Sequence, residues 1–314
     1  MIERTHKDSR RAFNLPYNGF KDGILCGLCA RGCRIREGRQ GFCGLRRVKD
    51  GRVEHLAGTP EKGLLSWYYD PLPTNCVADW VCPGHNQYGL YNLAVFYKSC
   101  TLNCLFCQNW HFRRADPQKE RFFSAEELAE AVNSKVYCVC FFGGDPTSQM
   151  PHALRAARIM REKGVKICWE TNGLFNPKFL KQALEVSKTT GGIVKFDLKT
   201  YTESLSIALT GFSNKKTLSN FKRAAEILGE ERKRHLVAST LMVPGYIDAD
   251  EVYLIARFIS QIDPEIPYSL LAFSPHFYFS DMPTTPKRQA EECLSAARNA
   301  GLKNVRIGNL FLLK

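Results

Sequence analysis

Three cysteines, Cys100, Cys104 and Cys107, fall within eight positions of the stretch SCTLNCLFCQNW. A closed zinc site takes four ligands, and the runs of two-cluster ferredoxins space their cysteines two residues apart, so C-x3-C-x2-C fits neither. Three thiolates can instead hold three irons of a [4Fe-4S] cube and leave the fourth iron open to a substrate or cofactor group. A second group, Cys26, Cys29, Cys33 and Cys43, forms a C-x2-C-x3-C-x9-C array with glycines beside the cysteines. Four thiolates make a closed site, suited either to a structural zinc that staples a small lobe or to an auxiliary iron–sulfur cluster. Four reduced, metal-free cysteines among arginines would make a poor apolar core.

These groups need elements to position them. Leu93–Lys98 reads as a strand running into the cysteine triplet, and Val136–Phe142 as a second strand, ended by Gly143 and Gly144. Further strands are expected at Lys166–Glu170, Ile193–Leu198, Leu236–Val243, Tyr268–Phe273 and Val305–Ile307, with amphipathic helices between them. Ser124 and Glu127 form a capping box. Asp248 and Thr285, the latter followed by Pro286, are expected to cap later helices. Six β/α alternations imply an α/β fold, a partial (β/α)6 TIM-type barrel with a small N-terminal cysteine-rich lobe. The expected division is 1–63 for the lobe, 64–89 for an aromatic linker that wraps the barrel, and 90–314 for the barrel. The triplet, Gly143-Gly144-Asp145-Pro146-Thr147, Glu170-Thr171 and Asp197-Leu198-Lys199 all follow strand ends and so share one rim, where such barrels carry their chemistry. The glycines allow close backbone approach, and Asp145 offers an acceptor to an amine. A cube with a free iron beside such a turn is arranged to chelate S-adenosylmethionine (SAM).

The triplet, with Phe106 before its last cysteine, and GGDPT after the second strand resemble the radical SAM enzymes. CQNWHF, ETNG, VKFDLK, VPGYID and VRIGN are similar to the pyruvate formate-lyase activating enzyme group, and more so to the radical SAM enzymes named for the AmmeMemoRadiSam system, which carry a similar N-terminal cysteine group. The resemblance implies a [4Fe-4S] cluster and SAM, reductive cleavage to a 5′-deoxyadenosyl radical, and hydrogen abstraction from a substrate. It implies that Asp197 and Lys199 help to hold SAM, and that Glu170, Thr171, Asp197 and the carbonyl of Lys195 line a monovalent-cation site, with Glu170 where that group carries Asp. His276 falls near a SAM-side histidine, and Gly308 and Asn309 lie in the VRIGN match. The arginine that group carries upstream of VPG is replaced by Ser239 or Thr240. An outside reductant such as flavodoxin or ferredoxin is implied. A protein substrate is the activating-enzyme-like reading, and a nucleic acid or a small metabolite is the alternative.

The chain has 314 residues with 44 Lys/Arg against 31 Asp/Glu, a net charge of +13, and residues 1–60 hold thirteen basic against six acidic residues. Arg31, Arg34, Arg36, Arg39, Arg46 and Arg47 surround the first cysteine group, which suits nucleic acid, an acidic protein or a solvated face. A zinc-based nucleic-acid-binding module is therefore the rival class, but it leaves GGDPT, DLK and the IGN segment without a role. No apolar run reads as a signal or a membrane span, so a cytoplasmic protein with reduced cysteines is expected. Cys138, Cys140, Cys168 and Cys293 read as packing residues. So do Cys76 and Cys82, with ligation by Cys76, Cys82 or His85 as the alternative.

Overall fold

The structure is a computed structural model that describes residues 2–17, 22–74 and 76–314. Met1, residues 18–21 of the expected lobe and Asn75 of the expected linker lie outside the described residues. Helix α1, Ile2–Arg11, precedes two small antiparallel pairs: β1 (Ile24–Leu25) with β2 (Arg34–Ile35), and β3 (Arg46–Lys49) with β4 (Arg52–His55). Asp50 and Gly51 join the second pair at φ of 51° and 68°, the left-handed backbone that a two-residue Asp-Gly hairpin turn requires.

The main sheet holds β5 (Leu65–Pro71), β6 (Tyr91–Tyr97), β7 (Val136–Gly143), β8 (Lys166–Thr171), β9 (Val194–Asp197), β10 (Leu236–Met242), β11 (Tyr268–Ala272) and β12 (Val305–Gly308). Their spatial order is β12-β11-β10-β9-β8-β7-β6-β5, so consecutive strands are neighbours throughout. From β6 to β12 every pairing is parallel, and β5 alone runs antiparallel, against β6. This is the open, TIM-type form of a barrel, with edges at β5 and β12. The seven expected strands all form, with ends displaced by one or two residues. The expected linker begins as β5, a full member of the sheet.

Helices α2 (Ala125–Glu130), α3 (Met150–Glu162), α4 (Pro177–Thr190), α5 (Glu203–Thr210), α6 (Lys215–Leu228), α7 (Arg232–His235), α8 (Ala249–Ser260) and α9 (Lys287–Asn299) complete the architecture. Strand residues alternate between two environments because successive side chains point to opposite faces. Val139, Phe141, Ile167, Trp169, Val194 and Phe196 pack with helix residues such as Leu154, Leu180 and Phe221 in the main core. Cys140, Cys168, Ile193 and Val237 form a separate inner cluster. The Ser124–Glu127 capping box is present, and Asp248 caps α8. Thr285 corrects one expectation: its hydroxyl donates to Met242 O and accepts from Phe273 N, at 2.7 Å each, tying the ends of β10 and β11 together. Pro286 occupies the N-cap of α9 instead.

Candidate active site

The triplet loop contains little regular structure, so its shape comes from partners outside it. Ser99 leaves β6 at φ 73° and donates its hydroxyl to Cys43 O at 2.7 Å. The backbone N–H groups of Asn103 and Leu105 donate to Thr210 O and Leu209 O at the end of α5. The Asn103 side chain is the central clamp. Its amide donates to His6 Nδ1 at 2.8 Å and Ser9 Oγ at 2.9 Å on α1, and its oxygen accepts from Arg113 Nη1 at 2.7 Å. Arg113 also donates to Cys104 O. Leu102 N–H points at Cys100 Sγ at 3.4 Å, and Asn172 Nδ2 lies 3.7 Å from the same sulfur. Burial pushes the Cys100 thiol up and the Cys104 thiol to about 11, the latter partly countered by the Lys199 ammonium.

Close packing explains the Gly-Gly turn. A Cβ on Gly144 would lie 1.9 Å from Ser99 O, and one on Gly143, at φ 101°, would lie 2.6 Å from Phe96 Cα. Gly144 N–H donates to Tyr97 O at 2.8 Å. Asp145 departs from the role read in the sequence. Its carboxylate accepts from Thr147 N and Asn172 N at 2.7 Å each, from the Thr147 hydroxyl and from the Thr171 hydroxyl. A carboxylate has about four lone-pair sites, so these partners use it up. Burial raises its pKa and the donors act against that rise. Asp145 therefore holds the turn's shape, and backbone carbonyls are what the turn can offer an amine.

The loop and the turn open into one cavity of about 170 Å³. Cys100, Cys104, Phe106 and Cys107 line it from the loop, and Gly143, Gly144 and Asp145 from the turn. Glu170 and Thr171 reach it from β8, and Asp197 and Lys199 from the end of β9. Lys199 is paired with Asp197 and lies 5.6 Å from the Phe106 ring centroid. Burial alone would lower the Lys199 pKa, but Asp197 and Cys104 outweigh it and raise it. Glu170 Oε2 stands 3.3 Å from the ammonium of Lys195, so a fixed cation already sits beside that carboxylate. Pro146 and Thr147 lie buried behind the turn. His276 is not part of this cavity; its Nδ1 lies 3.1 Å from Ser274 O. Gly308 and Asn309 line a neighbouring cavity at the mouth with Arg306 and Phe311. Arg113 and Asn172 were not singled out from the sequence, although Asn172 lies within the ETNG match.

The structure gathers Cys26, Cys29, Cys33 and Cys43 around one small space, with Thr101 and Ser148 of the barrel on its wall. Backbone N–H groups of Leu28, Arg31 and Phe42 face the sulfurs of Cys26, Cys29 and Cys33 and oppose the rise in pKa that burial causes. Arg31 Nη1 donates to Thr101 O at 2.9 Å, and its guanidinium stacks 3.3 Å from the Phe42 and 4.2 Å from the Phe212 ring centroids. Arg46 donates to Ser148 O at 2.9 Å, Arg36 pairs with Asp22, and Arg47 with Glu54. Arg34 Nη1 donates to Gly23 O at 3.2 Å, so five of the six arginines serve contacts within the protein. The two donor sets fit the groups expected of them: three thiols opening on a cavity suit a cluster with an open iron, and four enclosed thiols suit a closed metal site. Among the described residues, no three His, Cys, Asp or Glu side chains are placed as ligands of one bare ion.

An open β/α barrel with three thiols on its rim defines a class of cluster-bearing enzymes. The profile of the Radical SAM superfamily matches residues 94–259, and the chain belongs to that superfamily. It is 28% identical over 307 residues to an uncharacterized protein of Methanocaldococcus jannaschii, covering 91% of this chain and 81% of that one. It is 27% identical over 193 residues to the pyruvate formate-lyase-activating enzyme of Staphylococcus aureus, covering 57% of this chain and 73% of that enzyme. Its fold is similar to that of Streptococcus suis SuiB bound to S-adenosylmethionine, at a TM-score of 0.53 and 17% identity, covering 68% of this chain and 49% of SuiB. Radical SAM membership implies a [4Fe-4S] cluster and SAM. Among the described residues, no helix is long and apolar enough to cross a membrane.

Proposed function

We propose that Cys100, Cys104 and Cys107 hold a [4Fe-4S] cluster in the rim cavity, and that SAM binds between it and the Gly143-Gly144 turn. The observation that carries this reading is the opening of all three thiols into a cavity that the same turn lines. A reduced cluster held there would supply the electron for reductive cleavage of SAM, the chemistry that would let the protein abstract a substrate hydrogen. The residues of this chain do the positioning. The carbonyls of the glycine turn would accept from the SAM amine and Lys199 would meet its carboxylate, with Asp197 fixing the lysine. Phe106 and the saturated Asp145 keep the loop and the turn in place, and Glu170 with the Lys195 ammonium closes the floor.

The substrate is a protein in this reading, supported by similarity to the activating enzyme of S. aureus. The AmmeMemoRadiSam branch and an electron donor of the flavodoxin or ferredoxin type belong to the same proposal. The lobe formed by residues 1–63 is a metal-stapled docking platform whose four cysteines hold zinc or an auxiliary cluster. The internal use of five of its arginines counts against a phosphate-gripping face. Iron, sulfide and zinc in anaerobically purified protein, beside a variant with Cys100, Cys104 and Cys107 all changed to Ala, test the assignment. The triple variant loses one cluster's worth of iron and sulfide. Unchanged iron and sulfide would contradict it.

A further inference from the structure

Five more cysteines meet in a place the rim chemistry does not use. Cys76, Cys82, Cys138, Cys140 and Cys168 all line a cavity of about 290 Å³ inside the barrel, which shares Phe142 and Glu170 with the rim cavity. All five are free thiols. Cys138 and Cys140 alternate on β7, and Cys168 is the register partner of Cys140 on β8. Cys76 and Cys82 come from the segment that crosses the open barrel, pinned on its far side by Trp80 Nε1 donating to Ser269 Oγ of β11 at 3.0 Å.

That crossing segment has a period. Cys76, Asp79, Cys82 and His85 recur every third residue, and the chain there forms 3₁₀ turns at Asp79–Val81 and Pro83–Asn86. In a 3₁₀ turn, residues three apart stand one above another. All four side chains line the cavity. Their local bonds fix the side chains and are compatible with metal ligation. Cys82 Sγ accepts from Gly84 N–H at 3.4 Å, the same i to i+2 bond that Cys100 receives from Leu102 in the triplet loop. Asp79 Oδ2 lies 2.8 Å from His85 Nδ1, a carboxylate that fixes the ring and leaves Nε2 free for a metal. Apolar packing alone does not account for a cavity that also holds Asp79, His85, Glu170 and a buried lysine. Cationic charge is already accommodated there: Lys195 Nζ stands 3.2 Å from Cys76 Sγ, 3.1 Å from Cys140 Sγ and 3.3 Å from Glu170 Oε2.

We propose that the barrel lumen binds one zinc ion through Cys76, Cys82 and His85 of the crossing segment and Cys140 of β7. Three thiols each exchange a proton for a Zn–S bond, with no change of oxidation state. The ammonium of Lys195 withdraws toward Glu170 and offsets the net negative charge of a three-thiolate zinc centre. Mixed sulfur and imidazole ligands suit zinc in tetrahedral geometry. The donors stand around the space rather than on one point, so the ion draws the crossing segment onto β7 and walls the lumen beside the rim cavity.

Site-resolved alkylation of the unaltered, anaerobic full-length protein tests this, comparing chelator-treated protein with the same protein after Zn²⁺ alone is added. Zinc should slow alkylation of Cys76 and Cys82 at least tenfold, and a Cys76→Ser/Cys82→Ser variant should bind one zinc fewer than the parent while keeping its iron and sulfide. Asp79→Asn should weaken this zinc about 10- to 100-fold without removing a ligand. Protection confined to Cys26, Cys29, Cys33 and Cys43, with equal zinc in parent and double variant, would overturn the site. Because iron and sulfide are read separately, that failure is distinct from a failure of the rim cluster.

Discussion

The two cysteine groups on the rim side are held in opposite ways. The triplet sits on an irregular loop, but that loop grows out of β6, whose Leu93, Val95 and Tyr97 are fully buried in the main core. The four N-terminal cysteines lie in a lobe with two-residue and four-residue strands, where a small cluster of Leu45 and Ala57 with Leu64 is joined by a few further buried side chains, Leu28, Ile35, Phe42 and Val48. The first group can lose its ligands and keep its scaffold. The second has a thinner scaffold, short strand pairs and a few buried side chains, held to the barrel by polar anchors such as Arg31 to Thr101 and Arg46 to Ser148. Metal at the triplet is thus a matter of chemistry, and metal at the lobe a matter of folding, as in small zinc domains.

That contrast can be broken most forcefully at the lobe. Cys29→Ser with Cys33→Ser should release its metal and open residues 22–63 to proteolysis and hydrogen exchange, while the barrel strands stay protected. Equal protection of the lobe in parent and variant would erase the contrast. Gly144→Ala probes the triplet side. The added methyl meets Ser99 O, and overpacking of this kind costs about 1–3 kcal/mol. The expected result is a lowered unfolding midpoint and loss of SAM binding, measured by denaturant titration and equilibrium dialysis, with the lobe's metal retained.

A smaller effect should separate the supports of the two groups by pH. Burial lowers the pKa of His152, which lies 2.7 Å from the Tyr97 hydroxyl and 2.9 Å from Phe123 O, and burial likewise lowers that of His6 beside Asn103. A base whose folded pKa is depressed binds protons more readily when unfolded. Its stabilising contribution is complete above the ordinary histidine pKa of about 6.5 and is lost as pH falls from there through the folded value. The denaturant midpoint of the barrel should therefore fall below about pH 6.5, and His152→Gln should flatten that slope.

Strand periodicity carried the sheet: β6 to β12 all lie where apolar runs placed them. The elements that escaped are those whose buried faces are not apolar. Helix α1 buries His6, Ser9 and Arg10, and its sequence IERTHKDSRR has no hydrophobic stripe to read. It is nevertheless what grips Asn103 and so shapes the triplet loop. Residue types alone also misassigned two carefully placed oxygens. Asp145 is saturated by Thr147 of its own turn together with Thr171 and Asn172 at the end of β8, and Thr285 ties strand ends together instead of capping α9, because which donors surround an acceptor is decided by tertiary approach. Cys76, Cys82 and His85 read from the sequence as packing residues or alternative ligands, and their period of three with Asp79 emerges only with the 3₁₀ turns.

The most direct measurement is 5′-deoxyadenosine formed from SAM by the reduced, iron-loaded protein under anaerobic conditions, beside the variant with Cys100, Cys104 and Cys107 changed to Ala. The account predicts 5′-deoxyadenosine and methionine in equal amounts from the parent, even slowly without substrate, and none above background from the variant. A folded, iron-loaded parent that leaves SAM intact in the presence of a strong reductant would contradict it.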